Sequence, residues 1–134
     1  GIPVIGHLGL TPQSVHKFGG YRVQGRGDEA REQLLQDARA LEEAGVYALV
    51  LEMVPAGLAA DITDAIDVPT IGIGAGDATS GQVLVLHDLL GLDESFTPSF
   101  VKEYADMATS VVDALEEYRD EVVAGEFPTD DHSF

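Results

Sequence analysis

The apolar residues of the chain form four runs of the length of a β-strand. They lie at residues 3–5, 47–51, 70–73 and 83–86. The second run, from Tyr47 to Leu51, is unbroken, which is typical of a parallel strand buried on both faces of a sheet. Because strand-length runs alternate with longer segments of helical periodicity, the pattern predicts an α/β fold with a parallel sheet.

Two helices are predicted between these runs. The first can be capped by Asp28 and ended by Gly45. The second spans Leu58 to Ile66 and is stopped by Val68-Pro69. The gap between the third and fourth runs is too short for a full helix, so that unit is expected to be irregular. Residues 11–27 predict a long loop with a helical turn at its start, and loops of this length tend to be functional.

A last helix has the most regular pattern. Thr97 can cap it, Pro98 suits its first turn and Gly125 can end it. Its apolar stripe has spacings of three and four and consists of Phe100, Tyr104, Met107, Val111, Leu115, Tyr118 and Val122. Such a stripe is ordinary packing far more often than a cofactor site, so we expect it to pack against the rest of the protein.

Polar residues or glycines follow each of the four predicted strands. They are His7, Glu52, the pair Gly74 and Gly76, and the pair His87 and Asp88. The carboxyl ends of parallel strands meet at one edge of a sheet, where the loops of α/β enzymes carry the active site. This edge is therefore the predicted active-site edge. Four strands leave open whether the sheet closes into a barrel.

Glu52 is the strongest candidate for a catalytic residue. It ends the apolar run 49–51 and precedes Met53-Val54-Pro55. Its carboxylate is expected to be partly desolvated, which favours uptake of a proton and suits a general base. The alternative is a structural carboxylate that accepts hydrogen bonds from a helix N-terminus or pairs with an arginine.

The remaining candidates are less specific. His7 has small neighbours and could donate a hydrogen bond to a substrate, or it could satisfy a backbone carbonyl in the core. His87 with Asp88 could orient a ligand, although a capping role for Asp88 is favoured. The glycine-rich segment 72–76 lacks the spacing of a dinucleotide-binding fingerprint, so a tight turn with close backbone approach is expected instead.

Composition narrows the classes of protein. The 134 residues are 45% hydrophobic, enough for one domain with a core, and no apolar run approaches the roughly 20 residues that cross a bilayer. There is no cysteine, which excludes thiolate sites and fits a cytoplasmic protein.

Twenty-four Asp and Glu against seven Lys and Arg give a net charge of −17, which repels nucleic acid and anionic membranes. A solvated surface is the ordinary explanation, but acids spread over several segments favour adaptation to high salt.

Several motifs resemble those of the ketopantoate hydroxymethyltransferase family. They follow the family's order and spacing from the first residue to the last, and several are long and unusual. They are residues 6–14 (GHLGLTPQS), 18–21 (FGGY), 23–26 (VQGR), 50–55 (VLEMVP), 71–76 (IGIGAG), 81–88 (GQVLVLHD) and the ending 127–134.

The resemblance implies a (β/α)₈ TIM barrel, with residues 1–134 as the C-terminal half of its single domain: the last four strands and the C-terminal helices. The family transfers a hydroxymethyl group from 5,10-methylenetetrahydrofolate to 3-methyl-2-oxobutanoate, giving 2-dehydropantoate for pantothenate and coenzyme A biosynthesis. A Mg²⁺ ion holds the keto acid and stabilises the enolate. Glu52 would take the proton beside the ketone, His7 would lie in the substrate pocket, and the protein would be a homo-oligomer with small-molecule substrates.

The same resemblance places the metal-binding acids and the substrate-binding lysine in the N-terminal half, so no metal ligand is assigned here. We expect the chain to belong to a protein of about twice its length. One alternative is a related barrel enzyme of the phosphoenolpyruvate mutase or isocitrate lyase type, although such enzymes usually carry a catalytic cysteine. The other is a non-catalytic chain that binds without reacting.

Overall fold

The computed structural model describes residues 1–93 and 95–134, which form two compact units, Gly1–Val83 and Leu84–Phe134. The first unit contains, in chain order, β1 Ile5–Gly9, α1 Asp28–Glu43, β2 Ala48–Glu52, α2 Ala56–Ala65, β3 Thr70–Ile73 and β4 Gly81–Gln82. The second unit contains α3 Leu86–Leu90 and α4 Met107–Ala124.

The four strands form one sheet in the order β1-β2-β3-β4, and every neighbouring pair is parallel. The predicted α/β class with a parallel sheet is therefore confirmed, and the arrangement is consistent with part of a TIM-barrel-like fold. The register places Gly9 beside Glu52 and Glu52 beside Ile73. Three strand ends thus meet around Glu52.

One face of the sheet is covered by α1 and α2, the two helices of the first unit. Leu49 and Leu51 of β2 are fully buried there, in one cluster with Ala38 of α1 and Leu58 and Ile62 of α2. Burying each of the four large side chains contributes about 1.5–3 kcal/mol relative to exposure. This core fixes β2, and with it the position of Glu52 at its end.

The opposite face of the sheet, here called the site face, carries Ile5, His7, Val50, Glu52 and Ile71. These residues share a face because side chains alternate along a strand and registered partners in a parallel pair point the same way. Ile5 is 44% exposed, and Val50 and Ile71 are half-buried, whereas Ala48 and Ile73, which lie on the same face, are buried. The site face is thus partly open within the first unit.

The first two strands lie further along the chain than predicted. The first strand was expected at residues 3–5, but β1 is Ile5–Gly9 because all five of its residues pair with β2. His7 is therefore in the middle of a strand and does not follow it. The second strand is shifted by one residue, which makes Glu52 its last member.

The two helices of the first unit are confirmed, with corrections at their starts. The N-cap of α1 is Gly27, at φ +95°, and Asp28 is the first helical residue, where a carboxylate favours the positive end of the helix dipole. Gly45, at φ +90°, follows the end of α1 as predicted. Helix α2 begins at Ala56, two residues early, because the Pro55 carbonyl accepts the first helical hydrogen bonds. The predicted helical turn at the start of the long loop is a 3₁₀ turn, Pro12–Ser14.

The fourth strand was predicted at residues 83–86, and this is wrong. Strand β4 is only Gly81–Gln82, and its ladder ends where the Val83 N–H donates to the Gly72 carbonyl. Leu86 begins α3, whose first turn closes through Leu89 N–H to the Val85 carbonyl. The expected absence of a helix between β3 and β4 is confirmed within the described residues.

The last helix starts later than its pattern predicted. Asp106 is its N-cap and accepts a hydrogen bond from Thr109 N–H, whereas the Thr97 hydroxyl donates to Glu103. Phe100 and Tyr104 therefore precede α4. The helix ends at Gly125 as predicted. The stripe is not packed: its helical members, Met107, Val111, Leu115, Tyr118 and Val122, are 38–62% exposed. No helix in residues 1–93 and 95–134 is long and apolar enough to cross a membrane.

Candidate active site

Glu52 and His7, the two predicted site residues, are in direct contact. His7 Nε2 lies 3.0 Å from Glu52 Oε2, across the neighbouring strands β1 and β2. With Nε2 protonated, the imidazole donates to the carboxylate and holds its orientation. The Glu52 side chain is 17% exposed and that of His7 is 33% exposed, so the pair is sheltered but accessible.

The backbone of Glu52 is fixed by the end of β1. Its carbonyl oxygen accepts a hydrogen bond of 2.8 Å from the Leu10 N–H. Gly9 makes this approach possible: its φ is +89°, and a Cβ at this position would collide with the Glu52 carbonyl oxygen. The glycine at the end of β1 therefore lets β1 and β2 come together at the candidate site.

Met53, directly after Glu52, has a left-handed backbone conformation that is unusual for a residue other than glycine, with φ +48°. Two hydrogen bonds hold it: its N–H donates to the Ile73 carbonyl at 2.9 Å, and its carbonyl accepts from Gln24 N–H at 2.8 Å. The turn that leads out of β2 is thus fastened to β3 on one side and to the β1–α1 loop on the other.

The glycine-rich segment after β3 forms the tight turn that its sequence predicts. Gly74 and Gly76 have φ values of +62° and +80°. A Cβ on Gly76 would lie 2.5 Å from the Cβ of Ala56, so only glycine lets this turn approach the start of α2. Gln82 fastens the turn by donating from Nε2 to the Gly76 carbonyl at 2.8 Å.

One oxygen of the Glu52 carboxylate is left available. His7 contacts Oε2, and Oε1 accepts no hydrogen bond from the residues that the structure describes. The structural alternative for Glu52, an arginine or helix N-terminus as partner, is not found in that part of the chain. A half-sheltered carboxylate with one oriented and one open oxygen can accept a proton from a small molecule on the site face.

Two other sequence candidates, His87 and Asp88, were expected after the fourth strand. His87 and Asp88 lie in the first turn of α3, in the second unit, so they do not follow a strand, and the N-cap of α3 is Val85, not Asp88.

His7 also borders an open groove of about 350 Å³ with Leu8 and three α1 residues, Asp37, Ala40 and Leu41. This groove is lined by residues of β1 and α1, and Glu52 is not among them.

Sequence reasoning missed the backbone residues that position Glu52. Gly9 could have been found as a glycine at a strand end, because that is where close approach between strands demands one. The roles of Met53 and Gln24 had no such signal, because a backbone hydrogen bond between residues 29 positions apart does not depend on their side chains.

A family model identifies the chain through nearly its whole length. The model described as "Ketopantoate hydroxymethyltransferase" matches residues 1–130. The chain belongs to the ketopantoate hydroxymethyltransferase family. The resemblance of the motifs around His7, Glu52 and segment 72–76 is thereby confirmed.

Curated relatives named 3-methyl-2-oxobutanoate hydroxymethyltransferase agree with this assignment. The protein of Moorella thermoacetica is 63% identical over 134 residues, which are 100% of this chain and 50% of the relative. That of Trichlorobacter lovleyi is 60% identical over 133 residues, 99% of this chain and 50% of the relative. The chain therefore spans about half the length of the curated relatives it matches.

Proposed function

We propose that this chain is part of an enzyme that transfers a hydroxymethyl group to 3-methyl-2-oxobutanoate and forms 2-dehydropantoate. The proposed donor is 5,10-methylenetetrahydrofolate, and one water is consumed as the methylene carbon becomes the hydroxymethyl carbon. The observation that carries the proposal is the oriented Glu52–His7 pair on the site face of a chain that belongs to this family. We further propose a cytoplasmic, homo-oligomeric enzyme.

Because the chain spans half the length of its relatives, the proposal concerns what we call the complete enzyme. This term means residues 1–134 together with the half of the family's length that they do not span. We propose that the two halves form one (β/α)₈ barrel, with the site face turned to its interior. The half-open site face and the outer edge of β1, which pairs with no strand among the described residues, support this arrangement.

In the proposed mechanism Glu52 is the general base. Oε1, the open oxygen, takes the proton from the carbon next to the ketone, and the electron pair left behind forms an enolate. Water cleaves both C–N bonds of the donor's methylene bridge, which leaves tetrahydrofolate and a one-carbon unit at the oxidation level of formaldehyde. The enolate carbon bonds to this unit, and its oxygen takes up a proton to become the hydroxymethyl group. His7 keeps Oε2 occupied at 3.0 Å, so the base does not have to reorient before each proton transfer. The role of His7 is thus to position the base and to line the pocket.

Magnesium enters the proposal through the other half of the enzyme. Across residues 1–93 and 95–134 no group of three or more His, Asp or Glu side chains is arranged to hold a metal ion. Glu52 and His7 would supply only two metal ligands, and their side chains are in contact with each other. No step above therefore depends on a metal bound by this chain.

The direct test is product formation by the complete enzyme. Incubated with 3-methyl-2-oxobutanoate, Mg²⁺ and 5,10-methylenetetrahydrofolate, it should form 2-dehydropantoate, measured by mass spectrometry. A parallel reaction without the donor should give none. Failure of a folded, assembled enzyme to form product under these conditions would contradict the proposal.

A further inference from the structure

The β1–α1 loop has a charge opposite to that of the rest of the chain. This segment, residues 11–27, is here called the basic loop. It contains Lys17, Arg22 and Arg26, three of the seven Lys and Arg of the chain, and none of the 24 Asp and Glu. On a protein with a net charge of −17, it is the segment where an anion meets attraction instead of repulsion.

The three cationic side chains of the basic loop are exposed, and none forms an ion pair within the part of the chain that the structure describes. None of them contacts a carboxylate within residues 1–93 and 95–134, whereas Arg31 pairs with Asp61 and Arg119 pairs with Asp120. Carboxylates are plentiful in this chain, yet none of those described neutralises the charges of the loop. They are available to a ligand.

The basic loop is anchored beside Glu52. Gln24 N–H donates to the carbonyl of Met53, the residue after the proposed base. Gly25 is packed so tightly against Leu34 and Leu58 that a Cβ would collide with Leu58. The anchor therefore ties the loop to the turn that follows Glu52, the proposed base.

The two arginines flank this anchor. Arg22 lies two residues before Gln24, and the Gln24 side chain fixes this bend by donating to the Arg22 carbonyl at 2.8 Å. Arg26 lies two residues after it, directly following Gly25. Both arginines thus lie within two residues of Gln24, whose backbone is fixed to Met53 next to the site.

We propose that Arg22 and Arg26, with Lys17 as an outer contributor, bind the carboxylates of the one-carbon donor. This inference rests on the proposed function. The tail of 5,10-methylenetetrahydrofolate ends in glutamyl carboxylates far from its methylene group, so the reacting end can reach the site face while the tail lies along the basic loop. Guanidinium groups suit this role because they bind carboxylates through paired hydrogen bonds.

The test compares donors in the complete enzyme. In the double variant Arg22→Gln/Arg26→Gln, the KM for a donor with three glutamyl units should rise about tenfold, and that for one glutamyl unit should rise less, because exposed ion pairs each contribute a few-fold. Arg22→Lys/Arg26→Lys, which keeps the charge, should recover part of the affinity. Arg39→Gln is the matched control: Arg39 is an exposed arginine of α1 without an ion pair in the described residues, and its loss should leave the KM unchanged.

A second readout separates this inference from the proposed function. Exchange of the C3 hydrogen of 3-methyl-2-oxobutanoate with D₂O needs the keto acid but no donor, so it should continue in the double variant. If the unsubstituted enzyme itself showed no exchange, that result would count against the proposed function and not against this inference. An unchanged donor KM, a rise confined to the KM of the keto acid, or failure of the variant to assemble would each overturn the inference, since the charges would then serve another purpose.

Discussion

At the scale of single residues, Glu52 is held at its side chain by His7 and at its backbone by Gly9, Leu10 and the turn at Met53. Each of these contacts restricts a different part of the residue, the carboxylate, the carbonyl and the outgoing chain. Such preorganisation is valuable in a general base because a small misplacement of the reacting oxygen lowers the rate steeply. The positioning of Glu52 therefore depends on glycine and backbone geometry as much as on its histidine partner.

Gly9 provides the sharpest test of this arrangement. In Gly9→Ala, the added methyl group meets the Glu52 carbonyl while the residue keeps a φ near +89°. We expect the complete enzyme to lose about 2–5 kcal/mol of stability, from the left-handed conformation together with the clash. The rate of hydrogen exchange at C3 of the keto acid should fall as well, because the clash moves the proposed base.

Gly19→Ala is the matched control for Gly9→Ala. Gly19 also has a positive φ, +69°, but a Cβ there meets no atom within 4 Å. Gly19→Ala should therefore lower the stability only by the cost of the left-handed conformation, about 1–2 kcal/mol, and leave the exchange rate unchanged. Thermal unfolding and exchange, measured on both variants, give the comparison. Equal effects of the two substitutions would show that the contact between Gly9 and Glu52 does not position the base.

At the scale of elements, the sequence predicted what depends on local pattern and failed where pairing decides. Helices α1 and α2 and strands β2 and β3 were found, because their apolar spacing matches their burial on one side of the sheet. Residues 83–86 have the composition of a strand, yet the ladder beside β3 ends at residue 83, and the following segment turns into α3 instead. The strand propensity of a segment does not show how far its neighbouring strand allows the pairing to continue.

The same limit applies to the candidate site. Glu52 was recognisable because an acid at the end of an unbroken apolar run is unusual, and His7 because the motif around it resembles the family. Their contact was not predictable, since His7 is registered with Val50 and meets Glu52 diagonally, two residues further along β2. The exposed stripe of α4 was equally beyond reach, because a helical pattern shows that a face is apolar without showing what covers it.

At the scale of the whole molecule, we expect the net charge of −17 on this chain to lower stability when the salt concentration is low. Charges of one sign repel across the surface, and salt reduces the range of this repulsion from about 10 Å at 0.1 M to about 3 Å at 1 M. We therefore expect the unfolding midpoint of the complete enzyme to rise markedly between 0.1 M and 2 M KCl. Calorimetry over this range measures the response.

A variant with fewer charges separates repulsion from general effects of salt. Asp113 and Glu117 are exposed on α4, and Asp113→Asn/Glu117→Gln removes two negative charges. This variant should have a higher midpoint at low salt and a smaller rise with KCl. If the midpoint of the parent enzyme did not change with salt, the acidic residues would be explained as an ordinary solvated surface and not as adaptation to high salt.

Isotope exchange by Glu52→Gln tests directly whether Glu52 is the general base. The substitution keeps the size of the side chain and its contact with His7 but removes the basic oxygen. In D₂O with Mg²⁺ and no donor, the complete enzyme should exchange the C3 hydrogen of 3-methyl-2-oxobutanoate, followed by proton NMR. Glu29→Gln, the same change at an exposed position of α1, should exchange at the parent rate.

We predict that Glu52→Gln lowers the exchange rate by about 10²–10⁴-fold, the usual contribution of a general base, while the keto acid still binds and the unfolding midpoint stays close to that of the parent. A folded Glu52→Gln enzyme that binds the keto acid and exchanges its C3 hydrogen at the parent rate would show that another group takes the proton and that Glu52 is not the base.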